Sequence, residues 1–202
     1  EMPISEQNIQ DWKDAAEVEG TIPGYTPGGH GVSLGPKKID GNLHLDDGDT
    51  LTVTGTLWIT GNFLIDKHAH VELSPLYGVS SGVIVVDGRI QISNEAEFSG
   101  SGMSGSYILA LSTSNCPSNG SCDDGHGLQY AIDIGKDVDA VMLYASNGHI
   151  YIRSHTNVKQ ITAYRIDMAK EVELKYNTGM ANVNFVNGPG GAWSLNGWAE
   201  TQ

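Results

Sequence analysis

Asp46, Asp47 and Asp49, set in the stretch LDDGDT, place three carboxylates in one short polar segment. Oxygen donors this dense suit calcium. A calcium-binding β-roll, however, repeats its Gly-Asp turn along the chain, and here the cluster occurs once. A solvated turn is the plainer reading, with Asp46, Asp47 and Asp49 as weak calcium candidates and no metal or cofactor expected. His68 and His70 are separated by one residue, so in an extended strand they share a face. Two imidazoles so placed need a further ligand to hold a metal, and the sequence neighbourhood supplies none. They read as exposed turn histidines, as do His149 and His155.

A polysaccharide lyase-like site needs carboxylates that hold calcium and an Arg or Lys base on one face. Arg89, Arg153 and Arg165 stand beside recurring apolar pairs, and Asp87, Asp133 and Asp167 stand near the same places. A groove carrying both is one reading. The other is the outward polar row that any repetitive β surface shows. No nucleophile-elbow phrase surrounds a serine, and no glycine loop leads into a helix to hold phosphate. The expectation is therefore a non-enzymatic protein with no catalytic residues, the alternative being a polysaccharide-active lyase or hydrolase. Tyr130, Tyr144, Tyr151 and Tyr164 recur near the boundaries of the same segments. Exposed, they suit sugar stacking or a protein partner; stacked internally, they are core.

Cys116 and Cys122 lie in NCPSNGSCDDG, with Pro117 and Gly120 between them. A loop of that length can close as a disulfide, which would imply an oxidising compartment; two free thiols are the alternative. No second Cys pair completes a zinc site. Residues 112–127 interrupt the pattern around them, and an insertion that leaves the scaffold is free to bind. Asn115, Ser118, Asn119, Asp123, Asp124 and His126 are the candidate contacts.

The elements that must position these groups follow from composition and periodicity. The chain has 202 residues, 26 of them Gly, and a formal net charge of −13. That charge argues against nucleic acid, which needs a basic stripe, and against direct contact with anionic lipid. No apolar run reaches the length of a membrane-spanning helix. The chain opens on Glu1, which suggests a processed product or a trimmed chain.

Residues 3–19 read as one helix, with Ser5 as N-cap and Ile9, Trp12 and Ala16 on one face. Residues 21–36 are Pro- and Gly-rich and read as an irregular linker. From residue 39 a unit recurs: two apolar residues at alternate positions, a polar spacer, then two more. Phe63, Ile65, Ala69 and Val71 fit it; so do Ile90, Ile92, Ala96 and Phe98, and Ile166, Met168, Val172 and Leu174. Leu43, Ile132 and Ile150 open further units, and a Gly precedes the unit at Gly41, Gly61, Gly88 and Gly148. A short repeat of this kind buries its apolar face only by stacking on copies of itself. The expected fold is all-β, a right-handed parallel β-helix or β-solenoid with an N-terminal capping α-helix. It is expected as one domain over residues 1–202, with coils at 37–176 and a C-terminal coil and cap at 177–202. An antiparallel sandwich is the alternative.

VSLGPKKIDGNL, LTVTGTLWITGN, GVIVVDGRIQIS, FSGSG, YILALSTSNC, AVMLYASNGHIYI, ITAYRI and ANVNFVNGPGGAWSLNGW together carry a resemblance. The chain resembles a β-solenoid region of bacterial type IV pilus-associated, minor-pilin-like surface proteins. The resemblance implies export, an extracellular or cell-surface location and no enzymatic activity. It brings no catalytic residues. The sequence lacks the hydrophobic pilin-like helix of that pattern. The resulting expectation is an extracellular surface or pilus-associated module for adhesion or partner binding through its faces and the 112–127 loop. Its partner would be a protein or glycan, or other pilus components, and the fragment alone would be a monomer. A self-assembling scaffold is the second alternative.

Overall fold

The computed structural model describes residues 4–29, 31–116, 130–174 and Phe185. Helix α1 (Glu6–Glu17) is followed by β1 (Thr21–Tyr25), β2 (Val32–Leu34), β3 (Lys37–Leu45), β4 (Thr50–Val53), β5 (Leu57–Ile59), β6 (Phe63–Ile65) and β7 (His70–Leu73). After a 3-10 turn at Pro75–Tyr77 come β8 (Gly82–Val86), β9 (Ile90–Ile92), β10 (Glu97–Ser99) and β11 (Ile108–Ser112). The last are β12 (Ile132–Ile134), β13 (Asp139–Ile152), β14 (Asn157–Met168) and β15 (Glu173–Leu174).

Every pairing among these strands is parallel, which rules out the antiparallel sandwich. The register follows the repeat. Leu43, Phe63, Ile90, Ile132, Ile150 and Ile166 are successive partners. The first five of these are fully buried, and burying a side chain of this size stabilises by about 1.5–3 kcal/mol.

The pairing also closes on itself. β3 pairs β5, β5 pairs β8, β8 pairs β11 and β11 pairs β13. On the return, β13 pairs β12, β12 pairs β9, β9 pairs β6 and β6 pairs β3. These eight strands form a closed, all-parallel β-barrel in their hydrogen-bond connectivity. The right-handed parallel β-helix, or β-solenoid, expected from the repeat is corrected on this ground. The repeat predicts short strands that break at every corner, and β3 and β13 do not break there. β3 gives residues 37–39 to β5 and 43–45 to β6. β13 gives residues 142–144 to β11 and 150–152 to β12. Each long strand joins two rows that the repeat keeps apart. A further row, β10, β7, β4 and β2, extends from β13.

Ser5 caps α1 as its type predicts: its Oγ accepts from the Asn8 N–H at 3.2 Å while the Asn8 side chain accepts from the Ser5 N–H. The helix lies along the outer side of β3, β5 and β8 rather than across an end. Trp12 and Ala16 are buried beneath it. This explains why GVIVV in β8 and ILALS in β11 run without alternation: every residue in both strands is buried. One side of each faces the interior and the other lies under α1, Ile4 and Phe185. Phe185 bridges Ser81 in parallel and meets Trp12 edge-on, with ring centroids 6.2 Å apart. The rest of the expected C-terminal coil at 177–202 lies outside the described residues.

The recurring glycines have a steric cause. A Cβ on Gly61 would stand 2.6 Å from the Gly41 carbonyl carbon, and one on Gly88 would stand 2.7 Å from that of Gly61. The backbone stacks too closely there for a side chain. Beside them the Asn42 Oδ1 accepts from the Asn62 N–H at 2.7 Å, and the Asn62 Oδ1 from the Arg89 N–H at 2.9 Å.

Candidate binding face and histidine edge

In β6, β9, β12 and the end of β13 the apolar residues alternate with outward ones. Leu64, Gln91, Asp133, Tyr151 and Asp167 are successive partners across these strands and β14. Stacked strands lie about 4.8 Å apart, so this face presents a regular column of side chains.

Arg153 leaves the end of β13 and turns back onto Asp133, donating from Nη2 to Oδ1 at 3.2 Å and to Oδ2 at 3.0 Å. Burial pushes the Asp133 carboxyl above its ordinary range, and the Arg153 charge and hydrogen bond oppose that rise. The guanidinium also sits over the Tyr151 ring at 5.0 Å. Tyr151 in turn stacks on Tyr130, with centroids 5.0 Å apart and an angle of 17°. Burial raises the Tyr130 phenol, and the Asp167 charge adds to the rise. Arg165 Nε donates to Asp167 at 2.9 Å. An open recess of about 180 Å³ beside Asp133 and Arg153 is lined also by Lys67, Gln91 and Asn94.

The structure therefore brings together part of what the sequence proposed as a lyase-like face. Asp133, Asp167, Arg153 and Arg165 meet on it. Arg89 is buried at the corner, and Asp87 lies under the helix, 2.5 Å from Lys13 Nζ and accepting from Trp58 Nε1 at 2.8 Å. Of the tyrosines, Tyr144 is buried beneath Ile4, Tyr164 is exposed and stacks on His149 with centroids 6.1 Å apart, and the half-buried Tyr130 and Tyr151 stack on each other on this face. Lys67, Gln91 and Asn94 were not singled out from the sequence. Their signal was available in the outward and spacer positions of the repeat.

A second feature runs along the turns that follow this face. Gly48, His68, Glu95, Asp137, His155 and Glu171 all have positive φ, between 57° and 78°. For the non-glycine residues this costs about 1 kcal/mol each. Their side chains interleave with those of neighbouring turns. His68 contacts Asp47 Oδ1 through Nδ1 and Glu95 Oε2 through Nε2, both at 2.9 Å. His155 Nε2 lies 3.1 Å from Glu171 Oε2. His70 Nδ1 lies 3.3 Å from Glu97 Oε2. His44 Nε2 lies 3.1 Å from Asp66 Oδ2, with Asp46 Oδ1 3.8 Å from its Nδ1. The hydrogen bonds from Asp47 and Glu95 raise the His68 pKa, and burial opposes them.

The three aspartates of LDDGDT have separate roles. Asp49 is buried and holds its own turn, its Oδ2 accepting from the Asp46 N–H at 2.9 Å. Asp47 faces His68, and Asp46 faces His44. Asn115 is exposed, and Cys116 is buried and disulfide-bonded in a chain with one other cysteine. Ser118, Asn119, Cys122, Asp123, Asp124 and His126 lie outside the described residues. Among the described residues no helix is long and apolar enough to cross a membrane.

Comparison with known proteins finds no matching family model, no matching curated protein and no matching solved structure.

Proposed function

We propose that this protein is a non-enzymatic binding module that holds a sugar polymer along the face of β6, β9, β12 and β13. The observation that carries the reading is the Tyr130–Tyr151 stack joined through Arg153 to Asp133. An aromatic platform takes the apolar face of a sugar ring, and planar polar groups beside it take the hydroxyls. Gln91, Asn94 and Lys67 border the recess next to that platform. The regular rise from strand to strand suits a ligand that is itself repetitive.

The polymer favoured is neutral. The chain carries −13, and both arginines of the face are already paired with aspartates. A polyanion would meet net repulsion there. A surface or pilus-associated setting outside the cell belongs to the same reading, with support from the resemblance and from the disulfide at Cys116.

Titration with neutral and uronic-acid oligosaccharides, followed by backbone NMR shifts, tests the proposal. Binding of a neutral oligomer with shifts centred on residues 130–133 and 151–153 is expected. Tyr151→Ala should weaken it by about fivefold, the effect of losing about 1 kcal/mol of stacking. Shifts centred elsewhere, or an unaltered affinity in Tyr151→Ala, overturn the reading. A polysaccharide-active enzyme is the second reading, favoured by the raised Asp133 carboxyl in a recess. Turnover of any of these oligomers, abolished in Asp133→Asn, would establish it instead.

A further inference from the structure

We infer that β14 is a self-association edge, on which a second copy of this chain pairs antiparallel about Ile166. β14 lies outside the closed ring and joins β13 along one side. On its other side β15 pairs Asn157 and Val158 alone. Among the described residues no strand pairs that other side over residues 160–168. The apolar column loses its cover at the same place. Ile150 and Ile152 are buried, whereas their partners Ile166 and Met168 are 37% and 52% exposed. Tyr164 beside them is 74% exposed. The Ala169 N–H donates to the Ile152 carbonyl at 2.8 Å. Backbone groups alternate sides along a strand, so those of Ile166 and Met168 point to the open edge. An edge that offers backbone groups and apolar side chains together is a template for another strand.

The charge pattern selects the partner. Arg165 and Asp167 flank Ile166 and share a face, with Arg165 Nε donating to Asp167 at 2.9 Å. A two-fold axis beside Ile166 sets it opposite Ile166 of the second copy, where the two backbones exchange both N–H···O bonds. The same register sets each Arg165 opposite the other chain's Asp167, so two opposite-sign pairs form across the edge. Each Met168 then stands opposite the other chain's Tyr164. Moving the axis to Arg165 or to Asp167 puts like charges face to face. The edge is thus complementary to itself, which a two-fold interface requires. The net charge of −13 on each chain opposes association. Salt at about 0.15 M screens that repulsion beyond about 8 Å, whereas the cross-strand pairs act at contact. One edge strand is a small interface, so the dimer is weak and exchanges with monomer. The monomer expected from the sequence is then the dilute form.

Sedimentation equilibrium of the full chain over a range of concentrations, at about 0.15 M salt, tests the edge. Hydrogen exchange at the Ile166 and Met168 amides is read alongside. The wild type is expected to pass from a 21.5 kDa monomer to a dimer, with exchange at both amides slowing as the dimer forms. Arg165→Asp and Asp167→Arg each set like charges opposite one another and should weaken the dimer at least about tenfold. Mixing the two variants restores opposite-sign pairs and should restore the dimer. Both side chains reach solvent, so each variant should keep the wild-type circular dichroism. Met168→Lys, a charge at an exposed apolar position, should weaken the dimer independently of that pair. The inference is overturned by a wild type that stays monomeric at every concentration. Exchange at Ile166 that is already slow in the monomer overturns it too, because the chain then covers its own edge. So does a dimer that survives both charge variants, or one that does not return in their mixture.

Discussion

The Tyr144 hydroxyl donates to the carbonyl oxygen of Ile4, 2.9 Å away and 140 residues distant in the chain. This bond fastens the segment before α1 to β13, the strand that closes the barrel. Burial raises the Tyr144 phenol.

Tyr144→Phe keeps the ring and removes the donor, leaving the buried Ile4 carbonyl without this partner. The expected loss is about 1 kcal/mol of global stability, read as a lower urea midpoint with an unchanged slope. Hydrogen exchange in α1 should accelerate more than exchange in β9 or β12, because the bond anchors the helix side and not the inner ladder. Equal acceleration everywhere would mean that α1 and the barrel unfold as one unit and that the anchoring role assigned to Tyr144 is wrong.

The His68 imidazole should titrate above its ordinary value of about 6.5, because Asp47 and Glu95 both hydrogen-bond its charged form. Lys67 and Lys136 are the nearby cations on the same turns. A histidine raised in the folded state stabilises fully below the unfolded value and loses that contribution as the pH rises through the folded value. The turn edge should therefore tighten on mild acidification. NMR titration of the imidazole resonances in the wild type and in Asp47→Asn measures this. The midpoint should fall in the variant, and a midpoint unmoved by Asp47→Asn would contradict the contact.

Much of the scaffold was legible because it is periodic. Phe63, Ile90, Ile132 and Ile150 announce their own register, since each repeats the position of the last. Ser5 announced the helix start through local chemistry. The closure was hidden, because it depends on whether the backbone bends between Asp40 and Asn42, or between Ala145 and His149. A two-residue apolar pattern does not report that bend. The helix position was hidden too, although the unbroken GVIVV and ILALS runs imply cover on both sides. The His44–Asp66 contact was hidden for a different reason. His44 and Asp66 meet only once the register of β3 against β6 is set, whereas the local cluster LDDGDT drew attention to Asp49, which is buried in its own turn.

Arg153→Ala tests whether the binding face depends on the pair with Asp133. The Asp133 side chain is 14% exposed and that of Arg153 43%. Removing Arg153 takes away both influences that hold the Asp133 carboxyl down, so its titration should move further upward. A carboxyl raised in the folded state contributes stability below the unfolded value and loses it as the pH rises through the folded value. The variant should therefore be close to wild type near pH 4 and weaker near pH 7, by about 1 kcal/mol. That figure is low for a charge-assisted bond because the guanidinium is partly solvated. Arg153→Lys restores charge without the two-pronged contact and should recover stability more than sugar binding. Denaturation of the three proteins at both pH values, with an oligosaccharide titration of each, separates the electrostatic role of Arg153 from its place over the Tyr151 ring. Equal losses at both pH values in Arg153→Ala would show that packing on Tyr151, and not the charge on Asp133, is what the side chain contributes.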